Sequence, residues 1–132
     1  MNTQFWLAFL AYVLPTFPLG YFWHMKTFAK AYESLEIYRP QVIIPMGLAS
    51  MILQGLFFAW VFPKLFSSTT PWLTNAFWFA VIFGGLAWSF LVLPVAAKNK
   101  MTSVTKFMKL ETAFTVIQFA IAGVLLALIY RG

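Results

Sequence analysis

The sequence predicts an all-α membrane protein, four transmembrane helices in a bundle, with an amphipathic interfacial helix or extension after the first span. Three observations carry this. Of 132 residues, 62% are apolar and only 9% are charged, against about half and about a quarter in a soluble domain. A soluble chain this short leaves too much surface in water to bury that much apolar area. The apolar residues also fall into four runs, each near the ~20 residues that carry a helix across a bilayer core about 30 Å thick. Lipid offers the backbone no hydrogen-bond partner, so runs of this length are expected as helices.

The first span is expected over residues 5–23. Pro15 and Pro18 should kink it, and Gly20 should loosen it. It lacks the basic leader and small-residue cleavage site of a signal peptide, so it is expected to be retained. Residues 25–39 form the connector, where Phe28, Tyr32, Leu35 and Tyr38 recur at helical spacing with Lys26, Lys30 and Glu33 on another side. That pattern predicts an amphipathic segment lying in the interface, the alternative being an ordinary connector. The second span is expected over residues 41–62, with Pro40 suiting its first turn. Ser67–Thr70 reads as a loop, and Thr70-Pro71 as an N-cap and first helical residue for a third span over residues 72–97. Pro94 should bend that span near its end. Lys98-Asn99-Lys100 is a polar turn before a fourth span over residues 104–130. The whole chain reads as one transmembrane domain.

Orientation follows from the basic residues. Lys26, Lys30, Arg39, Lys98, Lys100, Lys106 and Lys109 flank one set of span ends, leaving only Lys64 and Arg131 at the other. The positive-inside rule puts the first set in the cytoplasm and both termini outside. The net charge of +6 therefore reads as topology and lipid-headgroup attraction, with no nucleic-acid footprint. The chain has no cysteine, which excludes disulfides and thiolate chemistry.

Sparse polar groups and small residues are what hold helices together in lipid. Gly47, Ser50 and Gln54 share a face of span two, and Glu111, Thr115, Gln118 and Ala122 share one of span four. Gln54 and Gln118 both reach the middle third of the bilayer by residue count. A lone amide there costs several kcal/mol, so Ser50/Gln54 and Thr115/Gln118 are expected to meet inside the bundle. That face serves either as structural glue or as a path for a substrate. Ala76, Ala80, Gly84 and Ala87 form a small-residue face on span three that lets another helix approach closely. A short internal echo pairs Leu14-Pro15 with Leu93-Pro94, and Met51–Gln54 with Thr115–Gln118.

Two titratable residues stand out. His24 is the only histidine; it is either part of an interfacial aromatic belt beside Trp23 or a functional group, haem ligation included. No second histidine or cysteine accompanies it, so no metal centre is predicted. Glu111 is the acid nearest the hydrocarbon, where carboxylates are functional candidates, or else an interfacial charge near a helix start. The two are expected to pair at the cytoplasmic mouth of the bundle. No phosphate loop, nucleophile elbow or His-Glu metal motif is present, and no catalytic residue is named.

Gly20-Tyr21-Phe22-Trp23-His24, the basic tyrosine-bearing connector, and Leu110-Glu111-Thr112-Ala113-Phe114 resemble a pattern in small four-span bacterial membrane proteins of unknown function. The resemblance implies a four-span fold and a bacterial inner membrane; it implies no activity and no cofactor. The small multidrug exporters are similar in length, but the mid-membrane carboxylate of their first helix is missing. The membrane-bound glutathione and eicosanoid enzymes are similar in length too, and their arginine-containing motif is missing. Three functions remain open at this point. One is a non-enzymatic subunit or self-associating interaction protein, packing through the small-residue face. A second is a small transporter or channel, and a third is a binding protein for a lipid, quinone or haem.

Overall fold

A computed structural model describes residues 1–132 as helices alone. Four of them are long and apolar enough to span a membrane: α1 (Thr3–Thr27), α3 (Ile44–Leu65), α4 (Trp72–Lys98) and α5 (Val104–Ile129). A short helix, α2 (Ala29–Leu35), follows α1. The protein is a multi-pass membrane bundle.

Local chemistry explains the boundaries. Asn2 caps α1 by accepting from the Phe5 amide at 3.0 Å, and Ser103 caps α5 by accepting from Lys106 at 3.1 Å. Span two starts at Ile44, later than its apolar run suggests, with Pro45 in its first turn. A helix begun near Pro40 would place Pro45 in its interior and lose a backbone bond there; residues 39–43 stay outside the helix instead. Pro71 is the cap position of α4, extended at ψ 133°, and not its first helical residue. Its carbonyl accepts from Thr74 and Asn75, and the Asn75 amide donates to the Ser67 carbonyl at 2.9 Å, tying loop to helix.

α1 runs through Pro15 and Pro18 without ending, then opens into a π-helical turn over Trp23–Thr27. α4 carries two such widenings, Ala80–Gly84 and Trp88–Val92. The second precedes Pro94, whose ring crowds the carbonyl four residues back, at Phe90. The connector is helical only over the seven residues of α2. Tyr32 and Leu35 are buried beneath it, while Lys30 and Glu33 face out. Glu36 ends α2 in the left-handed region at φ 59°, so Tyr38 lies beyond the helix.

The interior has two separate cores. The larger lies toward the end that holds the termini and the Ser67–Thr70 loop. There Tyr12, Phe58, Phe62, Phe79, Phe119 and Leu126 pack together. The smaller lies at the basic end, where Tyr32 and Leu35 of α2 meet Val92 of α4 and Phe107 of α5. Thr102 strengthens that seam by donating through its hydroxyl to the Ser34 carbonyl at 2.7 Å. α1 packs on α3 and on α5, and α4 packs on α5. α3 and α4 meet through Phe58, Phe62 and Phe79 near the terminal end and separate toward the basic end.

The small-residue face of α4 is spent inside the bundle. Ala76 is buried, and a Cβ on Gly123 would come within 2.6 Å of its carbonyl oxygen; a Cβ on Gly84 would lie 3.2 Å from the Phe119 side chain. Ala80 and Ala87 pack on the same core. The internal echo goes no further than its few residues: Leu91, which precedes Leu93-Pro94 as Tyr12 precedes Leu14-Pro15, is 64% exposed while Tyr12 is fully buried.

Candidate functional site

Where α3 leaves α4, a cleft of about 620 Å³ opens between α3, α4 and α5. Five side chains singled out from the sequence line it: Ser50 and Gln54 from α3, and Glu111, Thr115 and Gln118 from α5. The rest of the wall is phenylalanine and aliphatic, Phe57 and Phe90 among them. A second groove of about 690 Å³ lies between α1 and α3 at the basic end, and His24 and Ser50 line it. The two share Gly47, Ser50, Met51 and Phe114. Residues scattered over three helices thus converge on one continuous polar seam.

The glutamines do not meet directly. Gln118 donates from Nε2 to the Tyr12 hydroxyl at 2.9 Å, and that hydroxyl donates to Oε1 of Gln54. Gln54 in turn donates to Ser50 Oγ at 2.9 Å. Tyr12 is the missing member, and its ring is fully buried. Thr115 stands apart from this chain: its hydroxyl donates at 2.7 Å to the carbonyl of Glu111, one turn back. A signal for Tyr12 was present, because Ala8, Tyr12, Thr16 and Gly20 repeat every fourth residue and all are buried.

Nearer the basic end, His24 Nε2 lies 2.9 Å from Glu111 Oε1. Gly20 makes this possible, since with no side chain there Phe114 and Met51 come close. The other ring nitrogen, Nδ1, is 2.9 Å from the Gly20 carbonyl oxygen. That oxygen can only accept, so Nδ1 carries a hydrogen. Nε2 faces the carboxylate as its hydrogen-bond partner. Both ring nitrogens are engaged in hydrogen bonds.

Aromatic side chains pack around this pair. Tyr32 lies on the imidazole with ring centres 4.7 Å apart, and Tyr38 stacks on Tyr32 at 5.5 Å. The Trp23 indole donates to the Tyr32 hydroxyl at 3.0 Å. Burial pushes the Tyr32 phenol well above its ordinary range, and the nearby Glu111 carboxylate raises it further. Tyr38 is raised for the same two reasons. Both phenols therefore remain hydrogen-bond donors at any physiological pH. The sequence did not name Trp23 and Tyr32 as supports for the pair.

The chemistry available in the cleft is mainly hydrogen bonding. Glu111 is its only charged lining residue, and His24 is hydrogen-bonded to it. Two carboxamides and two hydroxyls supply neutral donors and acceptors within an aromatic wall. No family model, curated protein or solved structure matches the chain.

Proposed function

We propose that this protein binds an uncharged, lipid-soluble amphiphile with an oxygen-bearing head, of which quinones and isoprenoid alcohols are the fitting chemistries. One observation carries the reading: Ser50, Gln54, Glu111 and Gln118 converge on a cleft of about 620 Å³ that opens between α3 and α4. A charged head would lose its hydration there, an anion facing Glu111 and a cation competing with His24 for it. A neutral head finds donors and acceptors, and its chain has an apolar exit past Phe57 and Leu91. Cleft volumes of about 300–1,000 Å³ suit one molecule of that size. We further propose that the basic end faces the cytoplasm, in a bacterial inner membrane, so that the ligand enters from the inner half of the bilayer. The subunit reading drew its motive from Ala76, Ala80, Gly84 and Ala87, and those residues are already packed within the bundle. A carrier would use the same cleft.

Photo-crosslinking tests this. The purified chain in lipid nanodiscs is exposed to a decyl-chain benzoquinone bearing a diazirine, and adducts are mapped by peptide mass spectrometry. Adducts should concentrate on Phe57, Phe90 and Leu91 and fall with excess unlabelled decyl-benzoquinone or a long-chain isoprenoid alcohol. Gln118→Leu should weaken them about tenfold, the scale of one or two lost hydrogen bonds to a buried head. Adducts spread evenly over lipid-facing residues such as Leu73 and Trp78, indifferent to both competitors, would sink the reading.

A further inference from the structure

The groove between α1 and α3 differs from the cleft in charge and position. Arg39 and Tyr38 stand on its rim beside His24. The chain's one ion pair is His24–Glu111, so Arg39 has no carboxylate partner, although Glu36 lies only three residues away. No carboxylate lines the groove, so the charge of Arg39 is uncompensated at the rim. Lys26 adds a second cation, with its ammonium 5.9 Å from the ring centre of Tyr21, another lining residue. Below the rim the groove turns apolar, and Val42, Ile43 and Met46 are 42%, 46% and 68% exposed at the start of a membrane span. Nothing in the chain covers them: a Cβ built on Gly47 meets no atom within 4 Å.

We propose that this groove is a site for an anionic phospholipid, with its phosphate on Arg39 and one acyl chain laid in the trough along Met46 and Met51. A guanidinium suits a phosphate because its fork of N–H groups matches two phosphate oxygens. Tyr38 is a second donor on the same rim. Arg39 and Lys26 together carry two positive charges that a zwitterionic head, net neutral, leaves uncompensated, which favours a lipid with net negative charge. The apolar trough separates a lipid from a free phosphate, which would use the rim alone. Gly47, Ser50, Met51 and Phe114 line both cavities, but the headgroup preference at Arg39 is read without reference to the ligand proposed for the cleft.

Native mass spectrometry decides it. The full chain is equilibrated with equal amounts of phosphatidylglycerol and phosphatidylcholine of identical chains, and the retained adducts are counted. Phosphatidylglycerol should be retained over phosphatidylcholine by about tenfold. Arg39→Gln should abolish the preference, Arg39→Lys should keep part of it, and Lys100→Gln, away from the groove, should leave it intact. Arg39 is exposed, so these substitutions leave the fold undisturbed. Equal retention of the two lipids would overturn the proposal, as would equal losses in Arg39→Gln and Lys100→Gln, which would mean diffuse surface charge. Displacement of the lipid by millimolar inorganic phosphate would overturn the acyl trough.

Discussion

His24 and Glu111 join α1 to α5 through one hydrogen bond, so removing either should leave its partner stranded. Each residue is 17% exposed by its side chain, and stranding a largely buried group is what makes such breaks expensive. His24→Ala and Glu111→Gln are each expected to destabilise the bundle by about 2 kcal/mol. The double variant should lose about 1–2 kcal/mol less than the sum. Thermal unfolding of the four proteins in one detergent measures this, and strict additivity would show that the contact carries no coupling. At this scale the sequence was legible where type and depth sufficed. Counting residues from the span ends placed Gln54 and Gln118 at one depth, and the single histidine and the innermost acid pointed at each other. Tyr12 was harder to read, because a tyrosine inside an apolar run counts as part of that run until a partner for its hydroxyl is visible. Thr115 was misread for a related reason: a helical threonine has a carbonyl of its own helix within reach, and spacing alone does not reveal which acceptor it takes.

Among the elements, α4 and α5 form the closest pair. A Cβ on Gly123 would lie 2.6 Å from the backbone oxygen of Ala76, and backbone cannot swing aside as a side chain can. Gly123→Ala should therefore destabilise by about 1–3 kcal/mol, the range for overpacked sites. Gly47→Ala should be neutral or slightly stabilising, since open space surrounds Gly47 and alanine is the better helix former. Denaturation of both variants beside the parent protein checks the contrast, and similar losses in the two would refute the close approach. Helix existence was plain from apolar length, while helix starts depended on competition between prolines. Pro40 and Pro45 each suit a first turn, and only one can have it; the later one wins because it would otherwise sit in the interior. The small-residue face of α4 was legible as a packing face. Its partner was not, because periodicity says that a helix can approach without saying which one.

The whole molecule consists of two cores, with α4 and α5 contributing buried residues to both and a gap opening between α3 and α4. The absence of cysteine makes its orientation easy to test, since any introduced thiol is unique. Lys100→Cys should react with a membrane-impermeant maleimide only after the cytoplasmic side is opened, and Ser68→Cys should react in intact cells. The reverse pattern would invert the assigned sides. Seven of nine basic residues cluster at one end of the bundle, which is what the proposed orientation rests on, whereas the gap between α3 and α4 was not legible, because hydropathy does not register where two apolar helices part. Its mechanical consequence would lie in α3. That helix is held on α1 at Gly55, by Phe9 and Val13, and again where Met51 meets Gly20, and from Met51 to Ile44 it extends about 10 Å. A tilt of about 10° about Met51 would carry the tip roughly 2 Å by the same geometry. The groove lies on the α1 side of this arm and the cleft on the α4 side, so a swing that widens one narrows the other. Two occupants of this protein would then oppose each other, and by linkage each would weaken the other by the same factor.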